Sequence, residues 1–184
     1  MKFFPKLFIL IPFFILLGCG EVGKWHSNAL KEASRGNYEG AIKIWNEILD
    51  IEKDNPLYLN NLGWTLFRND NFEEAKATLE KAESKCESKN LRQSIESNLF
   101  MVLTFQDGKR LLQNGNYTEA IAEFEKVAFK YNTKELELKY FALCYEGLEK
   151  YDEAKEEWEK IIDMHQESNI RNKFYLLAKE KLSL

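Results

Sequence analysis

Apolar residues recur at helical spacing through most of the chain, in short stripes separated by polar punctuation. Ala41, Trp45 and Ile48 form one stripe; Ala75, Leu79 and Ala82 a second; Ala120, Phe124 and Val127 a third; Ala154, Trp158 and Ile161 a fourth. Steps of three and four residues put each set on one face of an α-helix. A partner stripe precedes them: Leu59, Leu62, Gly63 and Leu66 before the second, and Leu138, Phe141, Ala142 and Tyr145 before the fourth. Trp25, Ala29 and Ala33 do the same, less regularly, before the first. No run alternates with period two for long enough to form a sheet. The pattern predicts an all-α chain of paired helices.

The punctuation is itself repeated. It reads Asn37-Tyr38-Glu39-Gly40-Ala41, Asn71-Phe72-Glu73-Glu74-Ala75, Asn116-Tyr117-Thr118-Glu119-Ala120 and Lys150-Tyr151-Asp152-Glu153-Ala154. Its alanines lie 34, 45 and 34 residues apart. A fixed period of that size marks helical hairpins stacked in an array. Each phrase opens a helix. Asn71 with Glu74, and Asn116 with Glu119, have the spacing of a capping box. Asn37 can cap too, although Gly40 replaces the reciprocating glutamate. Lys150 cannot accept a backbone N–H, so the fourth start is the weakest, with Asp152 helping electrostatically. Asp54-Asn55-Pro56 reads as a further helix start, with proline in the first turn where its missing N–H costs nothing.

The middle interval exceeds the others by eleven residues. That is almost three helical turns, so a helix can lengthen without rotating its buried face. Leu91, Ile95, Leu99 and Val102 keep one stripe across the extra segment. The favoured reading is a helix over 90–114, started by Asn90 with Gln93 and about 16 Å longer than its counterparts. The other is a longer loop over 84–97 followed by an ordinary helix. A last helix is expected over 169–182, with Ile170, Phe174 and Leu177 inward. Lys173, Lys179, Glu180 and Lys181 keep its outer face polar, as the end of an array requires.

With these residues in view the chain resembles the tetratricopeptide repeat. That family places a small residue midway along the first helix, here Ala29, Gly63, Gly108 and Ala142. It places an aromatic at the turn, here Tyr38, Phe72, Tyr117 and Tyr151. Only glycine or alanine lets the two helices of a hairpin approach without a Cβ clash. The resemblance implies a right-handed α-solenoid of about four hairpins plus a C-terminal capping helix. It also implies that first helices line a concave face where a peptide segment or helix of a protein partner binds. The positions so implied are His26, Leu30, Asn60, Trp64, Phe67, Arg68, Phe105, Lys109, Lys139 and Leu143. Trp64, Phe67 and Arg68 stand out, because Trp and Arg dominate binding hot spots; the competing reading is that Trp64 and Phe67 pack the hairpin junction. The lysine and asparagine clamp by which some tetratricopeptide domains hold a C-terminal carboxylate is not present as a set.

The N-terminus adds a location. Lys2 and Lys6 precede an apolar run, 7–17, too short for a comfortable transmembrane helix. Positive start, short apolar core and small exit describe a secretory signal. Leu16-Leu17-Gly18-Cys19 resembles the bacterial lipobox, which implies diacylglycerol on Cys19; several acyl chains on one residue anchor stably. By resemblance to enteric lipoproteins, Gly20 in place of Asp favours the outer membrane over inner-membrane retention. The chain divides into a signal peptide, 1–18, cleaved before Cys19; a tether, 19–24; repeats, 25–168; and the capping helix, 169–184.

Charge and chemistry narrow the function. Cleavage takes the formal charge from −4 to −6 over 166 remaining residues. A net acidic chain without a basic stripe argues against nucleic acid. Cys86 and Cys144 fall in different repeats and read as two free thiols rather than a disulfide. His26 and His165 lie at opposite ends, and no phosphate loop, nucleophile elbow or zinc spacing occurs. No enzyme, cofactor or metal is expected. The sequence points to a membrane-anchored protein-interaction scaffold of the bacterial envelope that assists a larger complex. The alternative is a surface-exposed lipoprotein that binds host or matrix components.

Overall fold

The computed structural model describes residues 14–128, 134–166 and 171–183, with the backbone alone for 14–19. Most of the signal segment, and Asn169 and Ile170 of the expected capping helix, lie outside the described residues. Among the described residues there are nine helices and no strand: α1 (Phe14–Ser34), α2 (Tyr38–Ile51), α3 (Pro56–Arg68), α4 (Phe72–Lys85), α5 (Lys89–Gln113), α6 (Tyr117–Glu125), α7 (Lys134–Gly147), α8 (Tyr151–Met164) and α9 (Lys173–Lys181). They pair as four hairpins, α1/α2 to α7/α8, each packed on the next, and α9 packs on the fourth.

The repeated phrase makes the same turn four times. Its first residue donates its backbone N–H five residues back, Asn37 to Glu32, Asn71 to Leu66, Asn116 to Leu111 and Lys150 to Tyr145, at 2.9–3.0 Å. The preceding residue sits in the left-handed region: Gly36, Asp70, Gly115 and Glu149, with φ between 60° and 84°. This is the helix-ending motif in which one left-handed residue lets the chain reverse. The bond uses backbone only, which is why Lys150 serves as well as asparagine.

The caps differ from the sequence reading. Asn37, whose phrase lacks the glutamate, does cap: its Oδ1 accepts from the Gly40 N–H at 3.1 Å. Its Nδ2 is held by Glu32 at 2.6 Å. A Cβ on Gly40 would lie 2.4 Å from that nitrogen, so the missing side chain makes room for the cap. Neither expected capping box forms. Asn71 makes no backbone cap; its Nδ2 donates to Glu74 at 3.3 Å, while its Oδ1 accepts from Asn69 at 3.5 Å. Asn116 makes none either; it is exposed, where water can satisfy first-turn N–H groups.

The eleven extra residues are helix. α5 has 25 residues, against 13 in α3 and 14 in α7. It begins at Lys89, with Ser88 rather than Asn90 as its cap. The C-terminal helix likewise starts later than expected, at Lys173; Asn172 Oδ1 accepts from the N–H groups of Phe174 and Tyr175, both at 3.1 Å. The segment read as a tether is helical as well. α1 runs through 19–24 without a break, and Val22 is already buried in the core.

Close approach within hairpins falls where the small residues predicted it. A Cβ on Gly63 would lie 2.6 Å from Leu79 Cγ, and one on Gly108 2.4 Å from Phe124 Cε1. Ala29 and Ala142 are fully buried at the equivalent places. Around them an aromatic column joins hairpins two to four: Phe67, Phe72, Phe105, Phe124 and Tyr140 lie with ring centres 4.9–6.0 Å apart. Such pairs contribute roughly 0.5–1.5 kcal/mol beyond area burial. Cys86 and Cys144 are buried free thiols.

Candidate partner-binding surface

The predicted groove residues separate into three groups. Phe67 and Phe105 are fully buried in the aromatic column, and Asn60 is buried with its Oδ1 accepting from Asn98 Nδ2 at 3.0 Å. These three cannot meet a partner, and their assignment to the groove is corrected: the first helices pack on each other along the face on which they lie. Leu143 is half-buried against the core. His26 also turns inward, edge-on to Trp45 and Tyr58 at 5.4 and 5.5 Å; Leu30 beside it stays exposed.

Arg68 and Lys139 have intramolecular partners. The start of α7 lies across the turns of the first two hairpins, and a buried polar network joins them. Glu135, on α7, accepts from the Tyr38 hydroxyl at 2.7 Å and from Asn172 Nδ2 at 3.0 Å. His165 Nε2 meets Oε1, the oxygen that also accepts from Asn172, while Tyr38 holds Oε2. Arg68 donates to the Tyr38 oxygen at 2.7 Å, with its guanidinium 4.8 Å over the same ring. Asn172 also donates to the Gly36 carbonyl at 3.3 Å. A second node forms on Asp70, which accepts from the Tyr140 hydroxyl at 2.6 Å and pairs with Lys139. Lys173 donates to the Asn69 carbonyl; desolvation holds its ammonium below the usual lysine range.

The sequence reading missed this network, though two signals were present. His165 continues the stripe of Trp158 and Ile161, and Glu135 stands on that of Leu138 and Ala142. Polar groups on a buried stripe need buried partners. No buried side-chain nitrogen or oxygen among the described residues lacks one.

Stability should fall at alkaline pH. Burial, and then Glu135, raise the Tyr38 hydroxyl far above the usual tyrosine range. Burial, and then Asp70, do the same for Tyr140, and burial pushes the Cys144 thiol up to about 12. The unfolded chain releases these protons at their ordinary values while the folded chain keeps them. The unfolded state then binds fewer protons, so stability declines with rising pH. The slope is about 1.4 kcal/mol per pH unit for each group so held. The urea midpoint should drop steeply above about pH 10, and less steeply in Tyr140→Phe. A midpoint that stays level would contradict these buried hydroxyls.

Of the predicted groove residues, Leu30, Trp64 and Lys109 keep surface open to a partner. Trp64 is half-buried and leans on buried Phe67 with ring centres 5.3 Å apart, which fixes its orientation. Lys109 Nζ lies 5.2 Å from the centre of the Phe72 ring. It lines an open polar cleft of about 730 Å³ between the first turn of α4 and the last turns of α5, with Glu73, Glu74, Lys76, Gln106 and Arg110. Phe100 and Leu103, off the buried stripe of the elongated helix, are exposed. Among the described residues no group of His, Cys, Asp and Glu is arranged to hold a metal ion, and no helix is long and apolar enough to cross a membrane.

Comparison with known proteins bears on the fold. The tetratricopeptide-repeat family model matches residues 57–84, the second hairpin. No curated protein matches. Among solved structures the chain is similar to MamA from Desulfovibrio magneticus RS-1, at 21% identity over 88% of this chain and 91% of that one, with a TM-score of 0.35. It is similar to YrrB, described as a TPR protein with an unusual peptide-binding site, at 19% identity over 87% and 91%, TM-score 0.36. A third is the TPR-like repeat protein of a putative kinesin light chain from Podosopora anserina, at 16% identity over 89% and 84%, TM-score 0.39. The chain has an all-α, tetratricopeptide-type helical repeat fold.

Proposed function

We propose that this protein is a membrane-anchored interaction scaffold of the bacterial cell envelope, tethered by lipid on Cys19 and holding a protein partner for a larger complex. Stacked hairpins suit this work, since they present extended rigid surfaces. The observation that carries the reading is Trp64. It alone of the three aromatic groove candidates keeps an accessible face, and that face is backed by a packed column rather than a mobile loop. A large side chain held in place binds at little entropic cost. The cleft beside Lys109 supplies the polar contacts that would give register to a bound segment. The lipobox-like Leu16-Leu17-Gly18-Cys19 supports the anchor, and Gly20 supports transfer to the outer membrane.

Crosslinking in living cells, followed by mass identification, tests the surface. Trp64→Ala with Lys109→Ala should lose most of the captured partner while keeping wild-type helicity. Undiminished capture by the folded double variant would exclude this surface. Cys19→Ala should abolish fatty-acid labelling and release the protein from membranes; persistent labelling would sink the anchor.

A further inference from the structure

Resting on the lipid anchor at Cys19, we infer that the folded body lies directly on the bilayer, with the open end of the first two hairpins turned to the lipid headgroups. α1 passes as one helix through Cys19, Gly20 and Glu21. Only Gly20 and Glu21, both exposed, separate the anchor residue from Val22, which is 3% exposed and packed in the core. There is no slack between lipid and fold. Three residues span about 4.5 Å as helix and about 10 Å even when drawn out straight. A flexible spacer of tens of residues would let the body roam; two residues set it on the surface.

The same geometry says which end faces the lipid. α1 and α2 run antiparallel about the turn at Gly36, so Ile51, the last residue of α2, returns to the level of Val22. α3 starts beside it at Pro56. At this end Ile51 is 54% exposed and Leu57 41%. Lys24 and Lys53 are exposed here too, along with Glu21 and Asp50, while the carboxylate of Asp54 is paired with Lys81 at 2.7 Å and Lys85 at 3.2 Å. Isolated apolar side chains beside lysines suit the headgroup boundary, where the apolar part enters and the ammonium stays with lipid phosphate. The turn carrying Arg35 stands about 20 Å further out, the length of a helix the size of α2.

The test uses the full chain, made in bacteria so that the signal is processed. The purified lipoprotein is placed in phosphatidylethanolamine–phosphatidylglycerol vesicles whose headgroups carry a nitroxide quencher. A fluorophore is attached at Lys53→Cys or at Arg35→Cys; Cys86 and Cys144 are buried and do not compete. The mass of the N-terminal peptide is measured on the same samples. The expected result is an acylated Cys19 and quenching severalfold stronger at position 53 than at 35. A Gly/Ser linker inserted between Gly20 and Glu21 should erase the difference. Equal quenching of the two labels on an acylated, linker-free protein overturns the orientation and leaves the anchor standing. An unmodified Cys19 overturns both.

Discussion

Replacing Glu135 by alanine should destabilise the protein by about 3–5 kcal/mol, the cost of removing one partner from a buried charged cluster. The carboxylate accepts from Tyr38 and Asn172 and faces His165, so its loss removes one partner from three buried polar groups at once. Asn172 keeps the Gly36 carbonyl, whereas a buried donor left without any acceptor costs about 1–3 kcal/mol of desolvation. Glu135→Gln should cost less, because its amide keeps an acceptor for one neighbour and fills the same volume. Combined with Tyr38→Phe, Glu135→Ala should cost clearly less than the sum of the two changes, since the phenylalanine ring presents no hydroxyl to strand. Urea denaturation of the four proteins measures this directly. Strict additivity would mean that the Tyr38–Glu135 bond at 2.7 Å carries no coupling.

The architectural consequence is larger than the energy. A repeat array contacts only its nearest neighbours, and its stability is close to a sum of local terms. Here Tyr38 and Glu135 are 97 residues apart, and Gly36 and Asn172 are 136 apart. The first hairpin is thereby tied to the fourth and to α9. The intact chain should unfold in one step, whereas Glu135→Ala should let α7, α8 and α9 fray first, seen as early loss of hydrogen-exchange protection in those helices.

What could be read from sequence, and what could not, follows from the range of the interactions. The hairpins were legible because the repeated phrase encodes a local turn, closed by a backbone bond over five residues. The long α5 was legible because eleven residues preserve helical phase, so Leu91 to Val102 stayed on one stripe. The capping boxes at Asn71 and Asn116 were not, because a side chain two residues away, Asn69, competes for Asn71, and Asn116 faces water. The partner surface was only partly legible. Position within a generic hairpin put Lys139 in an open groove, but the start of α7 crosses the hairpin turns and pairs Lys139 with Asp70. No periodicity carries that information. It is written in polar residues standing on apolar stripes, Glu135 and His165, and a stripe position does not say which distant group will answer it.

Trp45→Ala should be as damaging as the loss of Glu135, by about 3–5 kcal/mol, for a different reason. Trp45 is fully buried between the first hairpin and the second. Its ring stacks on Tyr58 with centres 6.2 Å apart and meets His26 edge-on at 5.4 Å. Its indole N–H donates to Thr65 Oγ1 at 3.2 Å. Alanine leaves a void the size of an indole where hairpin one meets α3. The Thr65 hydroxyl keeps its own bond to the Asn61 carbonyl at 2.7 Å, so the polar loss is small and the cavity dominates. Trp45→Phe should therefore recover much of the stability although it cannot donate. If phenylalanine proved as costly as alanine, the hydrogen bond and not the packing would be what joins the hairpins.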